Sequence, residues 1–278
     1  MQQLIMKGSS LALGTPMDKT SAIDLYSAVD SYLELLKRVL TNTLFEREPD
    51  VDQENQQAFA QEFIGHYINA PAISMLPVAR FDSLRACIED IIRSDVPGDL
   101  IETGVWRGGA TIFMRAVLRA HNITDRNVWV ADSFEGLPEP DPEKFPIEAR
   151  MHASGVMRKR YNHFAVGIDE VRCNFAAFGL LDEKVKFLKG WFKDTLPTAP
   201  VERVALMRLD GDYYDSTTDA LTHLYDKLSP GGYAIIDDYG EDTWTSCRQA
   251  VDDFRRRRGI NEPMIRVDSK CYYWQRLE

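Results

Sequence analysis

Apolar residues follow two rhythms along this chain, and one gives way to the other near residue 99. Upstream, Leu25, Val29, Leu33, Leu36 and Leu40 recur at helical spacing behind the cap residues Thr20 and Ser21, which predicts a helix over 20–45. The acidic stretch Glu46-Arg-Glu-Pro-Asp50 reads as a linker, and further helices are expected over 56–68 and from Phe81 to Arg93. Downstream, short apolar runs alternate with amphipathic ones. Strands are predicted at Leu100–Thr103, Asn127–Asp132, Val185–Leu188, Val204–Leu209 and Tyr233–Ile236, with helices near 109–120, 167–179, 217–228 and 244–258. Met264–Val267 and Tyr272–Arg276 read as a closing antiparallel hairpin. The expected class is α/β: a doubly wound, mostly parallel sheet, a C-terminal antiparallel hairpin and a helical N-terminal extension. The extension is assigned 1–74 and the main domain 75–278. Residues 133–162, rich in Pro, Glu and Asp, are expected to form a substrate lid.

Composition narrows the partners. A net charge of −10 without a basic stripe argues against nucleic acid. The one dense basic run, Arg255–Arg258, ends a predicted helix, where it complements the helix dipole. No stretch has the length of a membrane span, and residues 1–19 are too weak for a secretory signal. Cys87, Cys173, Cys247 and Cys271 lie far apart and read as buried thiols of a reducing, cytoplasmic environment.

Three carboxylates carry the candidate chemistry. Asp210 closes one predicted strand, and the pair Asp237 and Asp238 closes another. In an open α/β sheet the C-terminal strand ends form one rim, where ligands bind. Strand-end Asp residues often cap the next helix. Three on one rim, however, repel unless a hard cation such as Mg²⁺ sits among them.

Glu102-Thr-Gly-Val-Trp-Arg-Gly-Gly109 follows the first strand and opens a helix, the place of a nucleotide-binding loop. Gly104 and Gly109 fit the first and third glycines of the dinucleotide fingerprint, but Trp106 stands where the second lets backbone approach a pyrophosphate. That disfavours NAD and affects S-adenosylmethionine less. Asp132 ends the second strand, where an acid accepts ribose hydroxyl protons. Glu102 would lie near a methionine ammonium, and Trp191 or Phe192 could cover an adenine. His66, His121, His152, His163 and His223 share no ligand spacing; His152 and His163 fall in the expected lid, where one could assist proton transfer.

Five motifs in order resemble the macrocin O-methyltransferase family: Glu102-Thr-Gly-Val-Trp-Arg-Gly-Gly, Asp132-Ser-Phe-Glu-Gly-Leu-Pro, Gly190-Trp-Phe, Leu209-Asp-Gly-Asp-Tyr-Tyr-Asp-Ser-Thr, and Gly231-Gly-Tyr with Asp237-Asp-Tyr. The resemblance covers roughly 75–275. It implies a Rossmann-like O-methyltransferase of antibiotic tailoring that uses S-adenosylmethionine and Mg²⁺ and forms a homo-oligomer, a dimer or tetramer. The implied acceptor is a small molecule: a sugar hydroxyl on a glycoside or a nucleotide-linked sugar. Asp210, Asp237 and Asp238 fall on metal positions, and Asp210 also on the general base. Glu102, Thr103, Gly104, Asp132, Ser133, Gly190 and Trp191 fall on cofactor positions. Asp212 is a further candidate ligand, Tyr213 a candidate acceptor contact, and residues 1–74 are expected to serve acceptor or oligomer contacts. An aromatic vicinal diol would present the same face to a metal. An NAD-dependent sugar oxidoreductase and a non-catalytic nucleotide-binding module are the readings from other classes.

Overall fold

The computed structural model describes residues 19–44, 72–154, 164–242 and 245–278. Helix α1 spans Lys19–Leu40 and α2 spans Val78–Arg93. Strand β1 (Asp99–Thr103) leads to α3 (Gly109–Ala120), β2 (Val128–Asp132), α4 (Pro146–Ala153), α5 (Ile168–Ala177) and β3 (Val185–Lys189). One helical turn, α6 (Phe192–Thr195), precedes β4 (Val204–Leu209), α7 (Tyr214–Leu224), β5 (Leu228–Ile236) and α8 (Ser246–Arg258). The chain closes with β6 (Ile265–Arg266) and β7 (Tyr272–Gln275).

The seven strands form one sheet in the order β3-β2-β1-β4-β5-β7-β6. β1 to β5 run parallel, while β7 lies antiparallel to both β5 and β6. Strand alternation sorts side chains to two apolar layers. Leu100, Val128, Val130 and Leu206 face a core shared with α1, α2, α3 and α5. Ile101, Trp129, Ala131 and Met207 face the core under α7 and α8. Small Ala234 on β5 stands opposite Trp274 on β7, which leaves room for a fully buried indole.

Leu33, Leu36 and Leu40 are buried in the first of these cores, so the predicted stripe on α1 is a packing face. The helix ends sooner than residue 45. The Thr41 hydroxyl donates to the Lys37 carbonyl at 2.9 Å, and Asn42 takes a left-handed backbone (φ 58°) that stops the helix. The linker 46–50 and the helix expected over 56–68 lie outside the described residues. The span 133–162 holds α4, which the Pro- and acid-rich composition concealed, although Pro146 at a first helical position is a start signal; residues 155–163 are not described. Strand β5 begins at Leu228, earlier than expected, with a register shift against β4 near its start. Cys87, Cys247 and Cys271 are buried thiols, but Cys173 on α5 is exposed, contrary to expectation: it follows Arg172 on the outer side of the helix, away from buried Val171 and Phe175. Among the described residues no helix is long and apolar enough to cross a membrane.

Candidate active site

The sheet winds outward from β1 through β2 to β3, then returns to start again at β4. That reversal leaves a crevice at the carboxyl ends of β1 and β4. A cavity of about 880 Å³ opens there, walled by the loops after β1, β2, β4 and β5, by α4 and by the β6–β7 turn.

The loop after β1 is locked to its neighbours by backbone contacts. Gly104 has φ 86°, and a Cβ there would lie 1.8 Å from the Asp210 carbonyl oxygen, so only glycine fits. The Asp132 carboxylate accepts the amides of Val105 and Phe134, each at 2.7 Å. Asp132 thus ties the β1 and β2 loops together while still facing the cavity. Trp106 lines the cavity in a left-handed backbone (φ 48°), and Phe134 and Asp212 share that conformation at the ends of β2 and β4 (φ 57° and 58°). Left-handed non-glycine residues cost energy and cluster at functional rims.

Of the sequence-predicted cofactor positions, Glu102, Gly104, Asp132, Ser133 and Trp191 line the cavity, as does Phe192. Ser133 donates its hydroxyl to the Gly136 carbonyl at 2.7 Å, which shapes the turn after β2. Thr103 and Gly190 are not on the wall. The Thr103 side chain is fully buried because strand alternation turns it away from Glu102. Gly190 makes the turn (φ 134°) that leads Trp191 to the cavity, and a Cβ on it would approach Thr195 Cγ2 to 2.8 Å. His152 stands off the wall, and His163 lies outside the described residues.

Glu102 is 1% exposed. One of its oxygens accepts from Arg208; the other, Oε2, has no hydrogen-bond partner among the described residues. Burial pushes this carboxyl up to about 8, against the opposing pull of Arg208.

Asp210, Asp237 and Asp238 do converge: each offers an oxygen within 4.8 Å of the others. Two arginines enter the same cluster. Arg208 donates to Asp210 at 2.9 Å and also to Asp237, while Arg80 of α2 donates to Asp237 at 2.6 Å and to Asp268 at 2.6 Å. Burial works to raise the Asp237 carboxyl, but Arg208 and Arg80 together hold it below the usual range. Asp210 is pushed up to about 6 by burial and by Asp237. Asp238 lies well above the usual range through burial and the charges of Asp212 and Asp210, and its Oδ2 has no hydrogen-bond partner among the described residues.

An all-oxygen donor set with mutual repulsion and a bare oxygen fits a hard divalent cation. The arginines on Asp237 do not exhaust it, since each carboxylate oxygen accepts more than one bond. Sequence reasoning missed Arg208, Arg80 and Glu148, a buried α4 carboxylate on the cavity wall. Arg208 had a signal, a lone charge in the apolar run Val204–Leu209. Arg80 had none, because a basic residue in an amphipathic helix reads as solvated.

The strand order with β7 inserted antiparallel, the glycine loop after β1 and the acid after β2 define a Rossmann-like methyltransferase fold. The O-methyltransferase NovP superposes with a TM-score of 0.77 at 43% identity, over 90% of this chain and all of that one. The calicheamicin methyltransferase CalS11, at 16% identity and a TM-score of 0.56 over 96% of this chain and 99% of its own, shares the fold. Residues 64–276 match the Macrocin-O-methyltransferase (TylF) family, and the chain belongs to it. A tetracenomycin-C rhamnosyl 4'-O-methyltransferase of Streptomyces olivaceus is 46% identical over 89% of this chain and 93% of its own. The mycinamicin III 3''-O-methyltransferase of Micromonospora griseorubida is 43% identical over 90% and 98%. The protein is an O-methyltransferase, and its family implies S-adenosylmethionine as methyl donor.

Proposed function

We propose that this enzyme methylates a sugar hydroxyl of a glycosylated natural product, with Mg²⁺ held by Asp210, Asp237 and Asp238. The observation that carries the reading is the convergence of those carboxylates in the same cavity as the glycine loop and Glu102. The names of the relatives support the acceptor class, since one acts on a rhamnosyl tetracenomycin and another on mycinamicin III.

When bound, the cation supplies positive charge that eases ionisation of a weakly acidic hydroxyl, and the donor supplies an activated methyl. The chain's own residues do the rest. Glu102 Oε2 binds the donor ammonium. Asp132 fixes the β1 loop and accepts from the donor's ribose hydroxyls, and Trp191 or Phe192 covers the adenine. Asp210 is the most open of the carboxylates Arg208 touches, with a side chain 26% exposed against 8% for Asp237. It would take the acceptor hydroxyl's proton on a carboxylate oxygen, while the donor, when bound, would supply the methyl group and leave as its thioether. Pro138 and Phe145, in the span expected to form a lid, and Phe164 just beyond it line the wall and would limit water on this path. Tyr32, Leu35 and Val39 form an exposed apolar stripe on α1, which supports a homo-oligomer.

Calorimetric titration with S-adenosylhomocysteine, with NAD as control, tests the donor assignment. Binding of the first alone is expected; binding of NAD instead would revive a dinucleotide enzyme, against which Trp106 now stands.

A further inference from the structure

One guanidinium touches the ends of all three central strands. Arg208 in β4 is 2% exposed. Its Nη1 donates to Glu102 at the end of β1 and to Asp210 Oδ2 just beyond β4 at 2.9 Å, and its Nη2 donates to Asp237 just beyond β5. Sheet register sets this up: Arg208 pairs with Glu102 on one side and Ile235 on the other, so its side chain and Glu102 share a face.

Stability alone does not account for this residue. Val204, Ala205, Leu206, Met207 and Leu209 are all buried and apolar, and a buried ion network replaced by apolar residues of similar volume often leaves a protein as stable or more so. What an apolar residue cannot supply is direction. Guanidinium holds its donors in a rigid planar fork, and here the fork engages one oxygen from each of three carboxylates. The remaining oxygen of Glu102 is left bare beside the cavity.

We propose that Arg208 is a positioning residue that aligns the donor carboxylate Glu102 and the cation carboxylates Asp210 and Asp237 with a single group, so that both affinities depend on the shape of its fork. This rests on the reading of Glu102 as donor contact and of the three Asp residues as cation ligands. Donor binding and cation binding then share one structural cause in a residue that does not itself line the cavity.

The test is Arg208→Lys, which keeps the charge and loses the fork. S-adenosylhomocysteine and Mg²⁺ are titrated separately by calorimetry onto the full-length protein, with no acceptor and no turnover. Both affinities are expected to weaken about tenfold or more, the scale of a lost charge-assisted hydrogen bond. Asp238→Asn, outside the three partners of Arg208, is expected to weaken Mg²⁺ alone. If Arg208→Lys leaves either affinity within about twofold of wild type, the inference is overturned, and the cation reading stands provided Asp238→Asn loses Mg²⁺. If Asp238→Asn binds Mg²⁺ as wild type does, the cation reading fails and takes the inference with it. Should Arg208→Lys not fold, nitrogen-labelled arginine resonances of the wild type decide. The Arg208 Nη signals are expected to shift on adding S-adenosylhomocysteine and, in a separate sample, on adding Mg²⁺; signals indifferent to either ligand overturn the proposal.

Discussion

Gly104 on the β1 loop and the carbonyl of Asp210 after β4 are packed so closely that a single added carbon would lie 1.8 Å from that oxygen. The glycine loop after β1 and the start of the loop that carries Asp210 are therefore one structural unit, and the Asp210 amide donating to the Thr103 carbonyl at 2.9 Å continues it.

Gly104→Ala is accordingly expected to damage fold and site together. The left-handed backbone alone costs an alanine roughly 1–2 kcal/mol, and the clash adds to it. Thermal unfolding should fall by more than about 5 °C, with S-adenosylhomocysteine binding lost. An alanine variant melting and binding as wild type does would contradict the packing.

Asp238 holds an unpartnered buried oxygen among like charges. Mg²⁺ should raise the melting temperature of the wild type but not of Asp238→Ala. In chelator, the variant should melt at the same temperature as wild type or higher, because removing an uncompensated carboxylate relieves repulsion. Equal Mg²⁺ stabilisation of both proteins would exclude Asp238 from the cation site.

The pH dependence of donor binding has a definite sign. With its carboxyl near 8, free Glu102 carries a proton at neutral pH, and a ligand ammonium requires the carboxylate. Binding of S-adenosylhomocysteine should therefore release a proton, and affinity should rise with pH up to about 8 before levelling. Calorimetry in buffers of different ionisation enthalpy measures the release. Glu102→Gln should abolish it, and a pH-independent wild type would remove Glu102 from the donor site.

Glu148 projects a buried carboxylate from α4 into the cavity wall. Glu148→Ala should raise KM for the acceptor about tenfold or more, through loss of a charge-assisted hydrogen bond to a sugar hydroxyl. The S-adenosylhomocysteine affinity should stay unchanged. A change in donor affinity with acceptor KM intact would put Glu148 on the donor side of the cavity instead.

Much of this site could be read before any coordinates, for a physical reason. Parallel strands buried on both faces give unmistakable apolar runs, and acids at their C-terminal ends stand out against them, as Asp132, Asp210, Asp237 and Asp238 do. Side-chain direction was harder. Thr103 follows Glu102 in sequence yet points to the opposite face, and Gly190 shapes the path to Trp191 without reaching the wall. The arginines were least legible. Arg80 meets Asp237 across 157 positions of sequence, a pairing that no local pattern encodes. Helix α4 was hidden by its setting, since Pro and acidic residues weigh toward loop even where Pro146 begins a helix.

Methyl transfer measured with and without chelator tests the central claim most directly. The purified enzyme is supplied with labelled S-adenosylmethionine and glycoside acceptors of the kinds named for its relatives, among them mycinamicin III. Label on a sugar oxygen, lost with chelator, restored by Mg²⁺ and absent in Asp210→Asn, is the predicted result. Transfer that proceeds unchanged in chelator and in Asp210→Asn would contradict it.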